Sequence, residues 1–454
     1  MDTLRKDAFD DHFDWLPGTR FENAWSTSHW TVPAHASLFT GKYGSELGVH
    51  AESQRFDCDA PSIAESLSAA GYRTRAFSCN INISKNLSFD RGFDEFEGNW
   101  RVESVQGDVF DWDVFISETR DEGPQRYFKA VYRCVTEDCD TVPSLKRGLL
   151  LKMRDLGVGP NTEDDGVSEA IDYVEGTDFA DEGEFLFVNL MEAHTPYDPP
   201  EPYRRVEQPE VDGLRAKIGG ESYDDEAIRK AYDSCVEYLS DRSRELFAEL
   251  RSDFDVVLTV SDHGEMLGEH GAYEHMYGLY PQLTNVPLAA WSADDTFADD
   301  AVDATASILD VHATVADLAG VDVDSRGRPL HDLDDGGQFL TEYHGITTVN
   351  YNSVVNAGYD DVEFLHDRLS GYVEGDYYGF EDFEEGFVEQ GELPEREDDE
   401  AASDEAASDE RFHAEDGRER LAALRESVAW KETGDEDVEI DERTRKHLED
   451  LGYA

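Results

Sequence analysis

Two stretches of strand length, Glu184 to Leu190 (EFLFVNL) and Phe254 to Val260 (FDVVLTV), are apolar almost without interruption. Strands that do not alternate apolar with polar residues have no face to give to water, which suits parallel strands covered by helices on both sides. The second run follows a helical stretch, Tyr223 to Leu250, and residues 60–78 (APSIAESLSAAGYRTRAFS) read as an amphipathic helix, a stop at Gly71 and a short strand. Residues 305–320 (TASILDVHATVADLAG) give a further helix closed by Gly320. This alternation predicts an α/β protein with a mainly parallel central sheet sandwiched by helices.

The rhythm lapses between Trp100 and about Ala180, where helical and irregular acidic stretches surround a basic patch of Lys146, Arg147, Lys152 and Arg154. A solvated insertion or cap over 100–180 is expected there, inside a main domain of residues 1–345. A smaller C-terminal region follows at 346–381. An acidic linker spans 382–415, with AASDE twice in tandem at 401–410, and lacks the apolar surface to order itself. Helical spacing returns in the last segment, 416–454, notably over Asp441 to Tyr453.

Charge narrows the classes of function. The chain carries 104 acidic side chains against 39 basic ones, a net charge of −65, which excludes an unaided grip on nucleic acid or an anionic membrane. Acid spread so evenly reads as adaptation to concentrated salt, where the Debye length shrinks to roughly 3 Å at 1 M. The five cysteines (58, 79, 134, 139 and 235) are odd in number and scattered, which predicts reduced thiols and a cytoplasmic setting; Cys134 and Cys139 have no second pair to complete a zinc knuckle. No apolar run reaches the ~18 residues needed to span a bilayer, and no signal region opens the chain, so no membrane insertion is expected.

Three segments place ligand or acid/base side chains just after a strand or at a helix start, where open parallel sheets bind ligands. In Trp30 to Gly41 (WTVPAHASLFTG), Pro33 suits a first helical turn and puts Thr31 at the N-cap or just before it. A hydroxyl there faces free N–H groups and the positive helix end, which favours an anionic ester; the same residue would also serve as a plain cap. In Val260 to His275 (VSDHGEMLGEHGAYEH), Asp262 and His263 follow the strand and converge on one cation, with His270 and His275 within reach of the loop. In Asn189 to Pro200 (NLMEAHTPYDPP), His194 precedes two X-Pro turns and is placed either to protonate a leaving oxygen or to rest on a loop carbonyl. Asn80 and Asn82 follow the RTRAF strand on the same rim, as substrate-binding groups or as turn residues.

Ten short stretches, in order, give the chain a resemblance to the sulfatase family of the alkaline phosphatase superfamily: DTLRKD at 2–7, TVPAHASLFTG at 31–41, ESLSAAGYRTRAF at 65–77, DRGFDEF at 90–96, AHTPYDPP at 193–200, SDHGEMLGEHG at 261–271, NVPL at 285–288, LDVHATVADLAG at 309–320, TEY at 341–343 and LGY at 451–453. The resemblance implies an alkaline phosphatase-like fold and hydrolysis of sulfate or phosphate esters, of small molecules or saccharides, at a single divalent cation. By position Asp2, Asp262 and His263 match the metal ligands, Thr31 the nucleophile and His194 the leaving-group histidine. His275 approximates a group that binds the ester's non-bridging oxygens, and His35, Asn80 and His270 stand near substrate-binding positions. Calcium is the family default, with Mn²⁺, Mg²⁺ or Zn²⁺ open.

Two departures qualify the match. The family's core reads Cys/Ser-x-Pro-x-Arg, whereas this chain has Thr31-Val32-Pro33-Ala34-His35. A secondary alcohol cannot be oxidised to an aldehyde, so no formylglycine is expected; phosphoester hydrolysis, or phosphoryl transfer, gains weight over sulfate release. His35 also removes a fixed cation. Secondly, Asp2 lacks the apolar strand that carries this ligand in the fold, so a strand of roughly six to ten further residues is expected upstream. A reading of a different class, an inactive relative that binds an anionic ligand or partner, draws on the same departures.

Overall fold

The computed structural model of the protein describes residues 1–98, 125–136, 166–180, 182–334, 336–394 and 411–431. In chain order its main elements are α1 (Lys6–His12), β1 (Thr19–Phe21), α2 (Thr31–Thr40), α3 (Ile63–Ala69), β2 (Arg73–Ser78), β3 (Glu95–Gly98), α4 (Val167–Gly176), β4 (Glu184–Asn189), α5 (Asp225–Asp253), β5 (Val256–Val260), β6 (Leu288–Ser292), β7 (Asp300–Val302) and α6 (Ile308–Leu318). The C-terminal region adds β8 (Gln338–His344), β9 (Arg368–Glu374), β10 (Tyr377–Asp382), β11 (Gly386–Gln390) and α7 (Arg411–Glu426).

Local chemistry sets the helix starts. Ser62 accepts from the Glu65 N–H while Glu65 accepts from the Ser62 N–H, and Ser307 and Asp310 repeat the exchange at α6. Asp224 accepts from the Ala227 N–H at the start of α5. Each such cap contributes about 1 kcal/mol.

β3, β2 and β4 form a three-stranded parallel sheet, with Arg73 opposite Glu184 and Ser78 opposite Asn189. β7, β1, β6 and β5 form a four-stranded sheet in which β6 alone runs against its neighbours. The first two residues bridge the halves: the Met1 amino group donates to the Val260 carbonyl, and the Asp2 N–H donates to the Leu190 carbonyl. The sheet is thus mainly parallel with one reversed strand.

The uninterrupted apolar runs serve two cores. Leu186, Val188 and Val257 pack with Phe9, Phe13 and the inner faces of α4 and α5. Phe185, Phe187, Val256, Leu258 and Val260 pack on the opposite face with α2, α3 and α6. Yet β4, up to its last residue, and the whole of β5 are only half-buried, although a strand covered on both faces should be buried.

Three expected boundaries need correction. α4 buries Val167, Ala170, Ile171 and Val174 in the first core, so the insertion expected to 180 ends before this helix. The linker expected from 382 begins later, because β11 pairs with β10 from Asp382 opposite Gly386 to Tyr378 opposite Gln390. Phe387 and Val388 provide the apolar contacts that the surrounding acid obscures. β8 to β11 form one antiparallel sheet, so the region expected at 346–381 is part of a larger unit that starts at Gln338. α7, inside the expected linker and last segment, buries Leu421 against it. The basic patch, Cys139, the tandem AASDE and the 441–453 helix lie outside the described residues.

Cys58, Cys79, Cys134 and Cys235 form no disulfide. Among the described residues no helix is long and apolar enough to cross a membrane.

Candidate active site

The site forms where the carboxyl ends of β4 and β5 meet the amino end of α2. All ten residues of α2 are buried, so the helix cannot shift without disturbing the second core. Thr31 is its first residue and Trp30 its N-cap, one position from expectation. No side chain caps this end, which leaves first-turn N–H groups for an anionic ester.

Asp2, Asp262 and His263 offer one ligand atom each within 4.8 Å of one another, and all three are buried. Asp262 Oδ1 accepts from the His263 N–H at 2.9 Å, while the second oxygen, Oδ2, lacks a hydrogen-bond partner, as does Oδ1 of Asp2. His263 Nδ1 is held by the Gly264 carbonyl at 2.9 Å, so Nε2 is turned to the cluster, 3.5 Å from Asp262 Oδ2 and 3.9 Å from Asp2 Oδ1. Burial, aided by Asp262, pushes the Asp2 carboxyl up to about 6. Burial likewise pushes Asp262 up to about 7 and pulls the His263 imidazole down to about 3, leaving it neutral with a lone pair to give. Two orphaned carboxylate oxygens facing a neutral imidazole fit one divalent cation, whose charge would offset the cost of burying them.

Thr31 Oγ1 stands at the edge of this cluster, 3.2 Å from His263 Nε2 and 3.5 Å from Asp2 Oδ2. A sequence model of the sulfatase family matches residues 12–321, well over half of the chain. The chain belongs to the sulfatase family. The uncharacterized sulfatase YidJ of Escherichia coli K12 is 24% identical over 335 residues, 67% of this chain and 61% of that protein, so the chain spans about three-fifths of that relative's length. Among solved structures, the phosphonate monoester hydrolase of Silicibacter pomeroyi is 18% identical with a TM-score of 0.62, covering 94% of each chain. The phosphonate monoester hydrolase of Agrobacterium radiobacter is 16% identical with a TM-score of 0.56, covering 94% of this chain and 92% of that one. These likenesses establish an alkaline phosphatase-like α/β fold.

Around the sulfatase cluster, the remaining expected residues divide. His275 joins it: its ring centroid lies 4.6 Å from that of His263 and 5.2 Å from that of His194. His194 Nδ1 contacts the Thr195 carbonyl at 2.5 Å, the loop bond that was one of the two readings expected for it. Asn80 does not reach toward a substrate: its amide donates to Asp2 Oδ2 at 2.6 Å, and its Oδ1 accepts from the Asn82 N–H in a turn. His35 also turns inward. Its Nδ1 lies 2.9 Å from the Thr31 carbonyl and 3.4 Å from Asp262 Oδ2, while its ring packs edge-on against Phe187. One helical turn past Thr31 on a wholly buried helix, it sits behind the Thr31 hydroxyl rather than before it. His270 is outside the cluster, exposed and stacked on Tyr280 at 4.5 Å; its left-handed backbone, φ 55°, turns it away.

Two residues escaped the sequence reading. Glu265, buried and with its carboxyl pushed well up by burial, holds His275 Nδ1 at 3.0 Å. His29 Nδ1 donates to the His275 carbonyl at 2.7 Å, so side chain and backbone of His275 are both anchored. Glu265 could have been found as the third acid or base in SDHGE; His29, two residues before Thr31, gives no local signal.

Proposed function

We propose that the chain is a divalent-cation-dependent hydrolase of phosphate and sulfate esters, with Thr31 as nucleophile and phosphoesters preferred. Thr31 carries the assignment, because its hydroxyl lies against both His263 and Asp2 at an uncapped helix start. Asp2, Asp262 and His263 would hold the cation, which when bound supplies Lewis acidity and lowers the pKa of the hydroxyl. Thr31 Oγ1 gives its proton to Asp2 Oδ2 and attacks the phosphorus while first-turn N–H groups of α2 receive the equatorial oxygens. The bond to the leaving oxygen breaks as His194 passes it a proton from Nε2; water then gives that proton back to His194 and attacks the phosphorus, and Thr31 leaves with the proton returned from Asp2. His275, kept neutral by burial and steadied at Nδ1 by Glu265, donates a hydrogen bond to a non-bridging oxygen. The phosphonate monoester hydrolases that share the fold support a phosphorus centre; a 2-O GAG sulfatase with a TM-score of 0.54 keeps saccharide sulfates in the substrate class.

The test is a product assay that separates phosphate-ester from sulfate-ester cleavage, run in high salt with Ca²⁺, then Mn²⁺, Mg²⁺ or Zn²⁺. Faster phosphoester cleavage is expected. Cation binding without either product would instead identify an inactive, ligand-binding relative.

Metal and protons compete for the same carboxyls. In the metal-free fold Asp2 and Asp262 titrate near 6 and 7 rather than near 3.8, so the stability tied to their neutral forms is full below pH 4 and is lost as pH rises through those values. A cation reverses this by favouring the charged forms. The gap in melting temperature between Ca²⁺-loaded and chelated protein is therefore expected to widen from pH 5 to pH 7.5. A gap independent of pH would show that these carboxyls do not hold the ion.

Glu265→Gln is expected to lower kcat/KM by about 10- to 100-fold through misorientation of His275. The pH profile should change shape as well, since the ring loses its carboxyl partner. An unaltered profile with full activity would leave Glu265 a packing residue.

A further inference from the structure

β4 and β5 are each the last strand of their half-sheet, and a cavity of 420 Å³ lies between them. Its walls are apolar on both faces: Leu16 and Phe247 from one core, Leu38, Phe39, Val311 and Val315 from the other. This slot is the reason both strands are only half-buried.

The edges facing the slot follow from ladder parity. Arg73 and Cys79 bond the carbonyls of Gly183 and Asn189, so odd residues near and along β4 face β2, and Leu186 and Val188 turn their backbone groups into the slot. Ser261 and Ala293 bond Pro287 and Asp255 in the same way, which leaves Val256, Leu258 and Val260 facing it from β5. At the carboxyl end of the slot the ladder has already begun. Met1 donates to the Val260 carbonyl at 2.8 Å and accepts from the Asp262 N–H at 3.2 Å, a parallel bridge, while Asp2 donates the other way to Leu190 at 2.8 Å. Successive residues bonding opposite neighbours is the pattern of a strand with partners on both sides. The Met1 amino group also occupies the place of a peptide N–H, buried beside Asp2 and Asp262.

We propose that the slot holds one further parallel strand, an apolar segment of about five or six residues joined to Met1, as set by the lengths of β4 and β5. Its side chains meet apolar walls on both faces, so it is rich in Val, Ile or Leu without alternation. A water-filled slot between two open strand edges would leave the centre of the sheet unpaired.

Three forms in high salt test this: the chain as it stands, the chain preceded by a Val/Ile-rich hexapeptide, and the chain preceded by a Gly/Ser hexapeptide. The apolar extension is expected to raise the melting temperature by about 5 °C or more. It should also slow amide exchange at Val188, Leu190 and Val260, each by about 100-fold or more, while the Gly/Ser form matches the unextended chain. Equal behaviour of the two extensions, or full protection of these amides without either, would overturn the proposal. So would in-frame upstream codons that specify a stop, or charged residues and proline in place of an apolar run.

Discussion

Replacing Thr31 with valine is expected to lower kcat/KM for a phosphodiester by about 10³-fold or more, with cation affinity kept within a few-fold. Valine matches threonine in shape and suits the buried start of α2, so the change removes little besides the hydroxyl. Two long contacts, at 3.2 and 3.5 Å, are lost with it, a stability effect on the order of 1 kcal/mol. Thr31→Ser keeps an alcohol at the same place and is expected to retain activity within about tenfold of the parent. Retained activity in the valine variant would remove Thr31 from the chemistry, and a shared loss in both variants would reduce it to a structural cap.

Asp262→Asn is expected to weaken cation binding by about 100-fold or more and to lower phosphoester cleavage by about 10³-fold. Titration calorimetry gives the first figure and the product assay the second. Asparagine preserves the acceptor for the His263 N–H, so the loop should keep its shape. Without metal the substitution removes a buried carboxyl whose Oδ2 has no hydrogen-bond partner, so the chelated variant should melt no lower than the chelated parent. Unchanged calorimetry would place the ion elsewhere; a chelated variant that melts far lower would mean that Asp262 serves the fold rather than the metal.

Much of the sheet was legible because its signals are local. The runs at 184–190 and 254–260 became β4 and β5, and the helices expected at 223–250 and 305–320 became α5 and α6 within a few residues of their bounds. The buried carboxylate–imidazole cluster was legible for a related reason: Asp262 and His263 are adjacent at a strand end, and strand ends are where such sheets bind ligands. What failed is directional. His35, Asn80 and His270 lie on segments that the sequence placed correctly near the site, but which way a side chain points is set by packing that no spacing encodes. His35 turns toward Phe187 and Asp262, Asn80 toward Asp2, and His270 toward Tyr280. Glu265 was missed because its partner lies ten residues on. The strand at 386–390 was hidden for another reason, since charge dominates its surroundings and two apolar side chains suffice to seat it.

The cluster also straddles a seam. Asp262 and His263 belong to the half of the sheet ending in β5, Asn80 grips Asp2 from the half ending in β4, and the chain's first residues are stitched to both. An ion seated there would work as a rivet as well as a reagent. Taking it out should let the two halves slide, so that a chelator loosens distant parts of the molecule and exposes them to proteolytic nicking, long before any of the chain unfolds.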